Sequence, residues 1–145
     1  MITPGDRVVL DTNIRVFGLR AHPEKPACAA LLDRLRAFRV VLPRQVLREL
    51  QVNLAPAEMR MLFALLRQLP TRAEIHWEMV KSETIRRYQE LGCKMGDAVI
   101  AAHLDELGVR VLISENRHFL SEIEGLPFQT LSAEDALAEL DDGSA

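Results

Sequence analysis

Apolar positions along this chain change their spacing several times, and each change marks an element. Arg7 to Leu10 is a β-branched, apolar run that stops at Asp11, the pattern of a strand buried on both faces of a parallel sheet. Pro26 opens a stretch through Phe38 in which Leu31, Leu32 and Leu35 recur at helical spacing. Val40 to Leu42 predicts a second short strand, closed by Pro43. From Pro43 to Asn53 the positions Val46, Leu47, Leu50 and Leu54 are helical, and Pro56 to Leu69 repeats the pattern with Met59, Leu62, Phe63 and Leu66. These two segments read as a helical hairpin. Ala73 to Trp77 predicts a third strand, and Glu78 to Leu91 a helix that Gly92 ends. Thr71 and Glu74 match a capping box in front of that strand, a chance match.

The passage from Gly96 to Phe119 is the most structured. Asp97 begins the helix AVIAAHLDEL, Gly108 stops it, and Val109 to Ile113 forms a strand that runs into the polar turn Ser114, Glu115, Asn116. Phe128 to Leu131 predicts a last strand. Ser132 with Asp135 caps a terminal helix through Leu140, beyond which Asp141 to Ala145 is expected to fray. Strands alternating with helices, with no linker or repeat, predict one α/β domain over residues 1–140 whose mostly parallel sheet is covered on both faces.

Composition changes this picture little. With 145 residues, 48% hydrophobic and 27% charged, the chain suffices for a single core and lies far from disordered compositions. No signal-like or membrane-spanning apolar run is present, so a cytoplasmic protein is expected, with no membrane partner. Cys28 and Cys93 lack zinc or C-x-x-C spacing and read as filler thiols, and His22, His76 and His103 have no ligand spacing either. A formal charge of −3 confines any nucleic-acid-binding face to a local basic patch.

In open α/β sheets ligands bind beyond the carboxyl ends of the strands. Asp11, Thr12 and Asn13 follow the first strand there, and Ser114, Glu115 and Asn116 follow the fourth. Asp97 lies at the start of the helix leading into the fourth strand, and Glu49 near the middle of the helix after the second. Gathered at one edge, these carboxylates would hold Mg²⁺ or Mn²⁺, hard ions that take oxygen ligands. Each residue has a plainer reading: Asp11 and Asp97 as helix caps, Glu49 as a solvated helix residue, Asn116 as a turn former, His118 as a packing residue.

The segments VVLDTNI, LREL and GDAVIAAHLDELGVRVLISENRHF resemble, in order and spacing, the signature segments of the PIN-domain ribonucleases. The resemblance covers nearly the whole chain. It implies a three-layer α/β/α sandwich around a parallel five-stranded sheet, and a metal-dependent ribonuclease with Asp11, Glu49, Asp97 and Asn116 as catalytic positions. Asp11, Glu49 and Asp97 would ligate Mg²⁺ or Mn²⁺, and Thr12, Asn13, Ser114, Glu115 and His118 would position ligands or substrate. The implied reaction is hydrolysis leaving a 3′-hydroxyl and a 5′-phosphate. The chain departs from the family at its fourth acidic position, where Ser114 and Asn116 stand. An Asn carbonyl can accept a hydrogen bond from metal-bound water but lacks the charge to hold a second ion, and Glu115 and His118 are the candidate replacements. Arg15, Arg44, Arg48, Lys94 and Arg117 neighbour the signature segments and would meet RNA phosphates. The short chain is also similar to the VapC-type toxins, which implies a homodimer silenced by a small antitoxin protein.

Two other functions fit the same pattern. One is a PIN-like module that binds RNA or protein and cleaves poorly. The other is a phosphomonoesterase or nucleotide-binding domain, against which stand the absence of G-x-G-x-x-G and of G-x-x-x-x-G-K-[ST], and of a second Asp two residues after Asp11.

Overall fold

The computed structural model describes residues 2–143. Its elements are β1 (Arg7–Leu10), α1 (Thr12–Leu19), α2 (Pro26–Leu32), β2 (Arg39–Pro43), α3 (Arg44–Asn53), α4 (Pro56–Arg67), β3 (Glu74–His76), α5 (Ser82–Glu90), α6 (Met95–Leu107), β4 (Val111–Ile113), β5 (Gln129–Leu131) and α7 (Ala133–Gly143). The five strands form one sheet, all parallel, in the order β3-β2-β1-β4-β5. Val8, Val9, Leu10, Val40, Val41, Leu42, Leu112 and Ile113 are all buried, a continuous run rather than an alternating one, as a sheet covered on both faces requires. The connections from β1 to β2 and from β3 to β4 travel in opposite directions along the sheet. Right-handed crossovers then place α1 and α2 on one face and α5 and α6 on the other, which gives the expected three-layer α/β/α sandwich. Consistent with this, α2 packs against α1 and α7, and α5 against α6.

Four differences from the sequence expectations have physical causes. Helix α1 is absent from the apolar pattern because the face it buries consists of Thr12, Ile14, Arg15 and Gly18, which carries no hydrophobic stripe. The predicted helix from Pro26 to Phe38 divides: α2 ends at Leu32, a 3₁₀ turn covers Leu35–Ala37, and Leu35 and Phe38 stay buried across the break. Helix α5 starts at Ser82 rather than Glu78, whose carboxylate is drawn to His103 Nε2 at 3.1 Å and His76 Nδ1 at 3.3 Å. At the other end, α7 continues through Gly143 where fraying was expected from Asp141, and Arg34 Nη1 bonds Asp141 Oδ1 at 2.9 Å. Ser144 and Ala145 lie outside the described residues.

The predicted stop at Gly108 holds: it takes φ +70°, a left-handed conformation that closes α6 through Val109 N–H to Leu104 O. Ser132 caps α7, its Oγ accepting from Asp135 N–H at 3.1 Å. Among the described residues no helix is long and apolar enough to cross a membrane.

Candidate active site

Strand order reverses at β1: the chain runs outward through β2 and β3, then returns to place β4 on the other side of β1. A crevice opens beyond the carboxyl ends of strands at such a point. Here a cleft of about 270 Å³ is lined by Asp11, Thr12 and Asn13 after β1, Glu49 and Asn53 on α3, Asp97 on α6 and Asn116 after β4, with Val16 and Phe17 of α1 as an apolar wall.

Each carboxylate in the cleft is held by a neighbour. Asp11 is 5% exposed; it caps α1 through Oδ1, which accepts from Thr12 N–H at 2.8 Å, while Oδ2 accepts from Ser114 Oγ at 2.7 Å. Asp11 is therefore a helix cap that also lines the cleft. Glu49 accepts from Thr12 Oγ1 at 2.7 Å and from Gln45 Nε2, one helical turn earlier, at 2.9 Å. Asp97 is not a cap: Lys94 precedes the helix and Asp97 sits within its first turn, where the helix N-terminus favours a negative charge. Its Oδ2 accepts from Asn116 Nδ2 at 3.1 Å.

Electrostatics follow from this crowding. Burial pushes Asp11 up to about 6; the bonds from Ser114 and Thr12 oppose the rise, and the charges of Glu49 and Asp97 add to it. Asp97 is also raised, first by burial, with Asn116 opposing and Glu49 adding. An all-oxygen set of mutually repelling carboxylates has the chemistry of a site for a hard divalent cation. Among the described residues, however, no three His, Cys, Asp or Glu side chains stand ready-assembled around a common point. The donors fit the ion by type and by charge, and closing on it would draw them together.

The departure at the fourth acidic position has a definite structural role. Asn116 Oδ1 accepts from His118 N–H at 3.0 Å and its amide nitrogen faces Asp97, so the side chain serves Asp97 as a donor rather than standing in for a carboxylate. His118 has Nδ1 2.6 Å from Glu122 Oε2 and Nε2 2.8 Å from Gly92 O. Both partners are acceptors, so both contacts favour the protonated ring. Its pKa is raised, first by the Glu122 bond and then by Gly92 O. Through these bonds the π-helical turn His118–Glu122 is stapled to the segment that leads into α6 and Asp97.

Other predicted residues lie elsewhere. Glu115, offered as a replacement acid, turns to the N-terminus of α7, accepting from Ala133 N–H at 3.1 Å and pairing with Lys25 Nζ at 3.4 Å. Its backbone N–H donates to Asn13 Oδ1 at 3.2 Å, which ties the two polar segments together. Arg15, expected on RNA, is only 1% exposed: it donates to Leu10 O, and its Nη2 has no partner among the described residues. Burial lowers its pKa to about 10, with Asp11 opposing. Arg15 is a buried cation behind the site and is not available to a phosphate. Arg44 stacks on Trp77 with its guanidinium carbon 4.8 Å from the ring centroid and donates to Trp77 O at 3.1 Å. Arg48, Lys94 and Arg117 are exposed. Cys28 and Cys93 are free, and burial pushes each thiol up to about 11.

Sequence reasoning missed Gln45, Asn53, Val16 and Phe17. Gln45 and Asn53 lie four residues either side of Glu49, so helical periodicity around Glu49 points to both. Val16 and Phe17 follow once α1 is recognised as a helix.

A parallel α/β sandwich with an acidic cleft at its topological switch point defines the class. The PIN domain family matches residues 8–125, more than half of the 145, and the chain belongs to that family. PIN domains are generally nucleases that use divalent metal ions. Two solved structures share the fold. VapBC2 from Rickettsia felis bound to a DNA fragment from its promoter is 22% identical, with a TM-score of 0.58 over 86% of this chain and 98% of that one. PAE2754 from Pyrobaculum aerophilum is 17% identical, with a TM-score of 0.54 over 95% of this chain and 98% of that one. No curated protein matches the sequence.

Proposed function

We propose that this chain is a divalent-metal-dependent endoribonuclease and the toxin of a toxin–antitoxin pair. One observation carries the reading: Asp11, Glu49 and Asp97, from three separate elements, line a single cleft, and each is already oriented by a donor. Asp11, Asp97 and Glu49 would hold Mg²⁺ or Mn²⁺. When bound, the ion would lower the pKa of a water and neutralise charge on the phosphate oxygens. Ser114 and the Thr12 N–H hold the Asp11 carboxylate; Thr12 and Gln45 hold Glu49; Asn116 holds Asp97. Arg48, Lys94 and Arg117 would meet the phosphates of the RNA, and Arg44 a neighbouring part of the strand. A small antitoxin as partner is supported by the VapBC2 neighbour. A homodimer in the cytoplasm belongs to the same reading.

The test is cleavage of single-stranded RNA by purified protein with Mn²⁺, by wild type and by Asp97→Asn. Endonucleolytic cutting by wild type that drops at least about 100-fold in the variant is expected, since losing an electrostatic stabiliser of this kind removes roughly that much. Equal activity in both proteins would end the assignment.

A second reading, a PIN-like module that binds RNA or protein and cleaves poorly, is favoured by Asn116 acting as a donor to Asp97 where the family carries an acid. It predicts RNA binding with Mn²⁺ and no cutting.

A further inference from the structure

The edge of the sheet that holds the cleft also carries an aromatic residue that the cleft itself does not use. Val9 pairs with Val41, and Val41 with Glu74, so Asp11, just beyond β1, stands at the level of His76 on β3, and Trp77 lies one residue further out. Two strand spacings separate β1 from β3, about 10 Å in all. Trp77 is 47% exposed although it is a large hydrophobic residue. One part of its ring is covered by the Arg44 guanidinium, which the bond to Trp77 O keeps in place. The stacked Arg44 sets a positive charge beside the part of the ring that stays exposed.

Between Trp77 and the cleft runs α3. A second groove of about 300 Å³ is lined there by Gln45, Arg48, Glu49, Val52 and Asn53. Glu49 and Asn53 line both grooves, so the two adjoin. Arg48 is exposed and has no hydrogen bond or ion pair among the described residues, which leaves a free cation midway. Val52, 85% exposed, offers apolar contact beside it.

We propose that Trp77 is a base-stacking platform on a path that carries single-stranded RNA out of the acidic cleft, across Arg48 on α3, to the Trp77–Arg44 pair. The inference rests on the nuclease reading for the identity of its ligand and deepens it by naming the strand form. A free cation followed by an open aromatic face is the pairing by which proteins hold unpaired nucleotides, the cation on the phosphate and the ring on the base. A duplex has no free base face to offer, so double-stranded RNA is excluded from the Trp77 position.

Trp77 is the single tryptophan of the chain, so its own emission reports the contact. The 145-residue chain in EDTA, which would withhold the metal that cutting needs, would be titrated with a single-stranded oligoribonucleotide, with an abasic oligomer of the same length, and with a duplex. Saturable quenching by the first alone is expected. In parallel, anisotropy of a labelled oligoribonucleotide should show Trp77→Ala binding on the order of 10- to 100-fold more weakly, as for loss of one base–aromatic stack, with Trp77→Phe recovering part of the loss. Equal quenching by the abasic oligomer, or unchanged affinity in Trp77→Ala, would overturn the proposal. So would an emission change that follows protein concentration instead of RNA, because a second copy of the chain would then cover Trp77. Cutting with Mn²⁺ and no quenching sinks the stacking platform alone; quenching without cutting sinks the nuclease and leaves the platform standing.

Discussion

Asp11 concentrates the tension in this site. Its carboxylate caps α1, is 5% exposed and faces two other acids, and its pKa rises from 3.8 to about 6, chiefly through burial. A folded-state pKa above the unfolded one means that the stability tied to the protonated group is fully present below 3.8 and is lost as pH rises through about 6. The ionised form therefore burdens the metal-free fold at neutral pH, by at most about 3 kcal/mol at about 1.4 kcal/mol per unit. Asp11→Asn keeps the shape without the charge. In EDTA at pH 7.5 it is expected to melt several degrees above wild type, on the scale of roughly 2–4 °C per kcal/mol. The gain should shrink as pH falls below 6 and vanish near pH 4. Melting curves of both proteins across that range check it, and a difference that does not vary with pH would mean that the charge is already compensated. The same side chain shows how site residues were legible at this scale. Asp11 and Asp97 stand where a strand ends and a helix begins, which the local pattern reveals. Glu49 sits mid-helix, where a solvated residue is the ordinary reading, and only its grouping with Asp11 and Asp97 and the resemblance set it apart. The role of Asn116 could not be read, because whether an amide presents its oxygen or its nitrogen depends on Asp97 and His118, whose positions follow from tertiary packing.

At the scale of elements, the strands and the longer helices were visible because their apolar residues repeat with the period of the structure, as in the continuous run of β1 and the stripe of α3. Helix α1 was invisible for a reason that also governs its packing. Its inward face is Thr12, Ile14, Arg15 and Gly18, residues chosen by the site and by a close neighbour rather than by hydrophobicity. Gly18 is where α1 meets α2: a Cβ there would lie 2.5 Å from Leu32 Cδ1 and 2.9 Å from the backbone oxygen of Cys28. The Leu32 methyl can swing aside, but the carbonyl cannot move without its helix. Gly18→Ala is accordingly expected to lose about 1–3 kcal/mol, as overpacked sites do, despite the better helix propensity of Ala. Urea denaturation would measure it. A neutral or stabilising result would mean that α2 shifts freely, and with it α7, which packs on its other side.

Taken whole, the molecule sets an acidic cleft at the switch point of a parallel sheet and spreads Arg48, Lys94 and Arg117 on the surface outside it. The topology was readable as alternation of strand and helix. The strand order was not, since nothing along the chain says that β4 returns to the far side of β1. That return brings Ser114 to Asp11 and Asn116 to Asp97 from more than a hundred and from nineteen positions away, respectively. Three like charges drawn from three segments repel one another, which accords with the lack of a ready-formed cage among the described residues. Binding of Mn²⁺ to the folded chain alone must therefore raise its stability, by about 2.7 kcal/mol when the free ion stands at a hundred times its dissociation constant. Because Asp11 has to release its proton to act as a ligand, the rise should be larger at pH 7.5 than at pH 5. Thermal melts with Mn²⁺ or EDTA at both pH values measure this. Asp97→Asn should flatten the response, whereas Gly18→Ala, which changes packing away from the cleft, should keep it. If wild type melts at the same temperature with and without the ion at pH 7.5, the cleft does not hold a metal and the hydrolytic reading loses its chemistry.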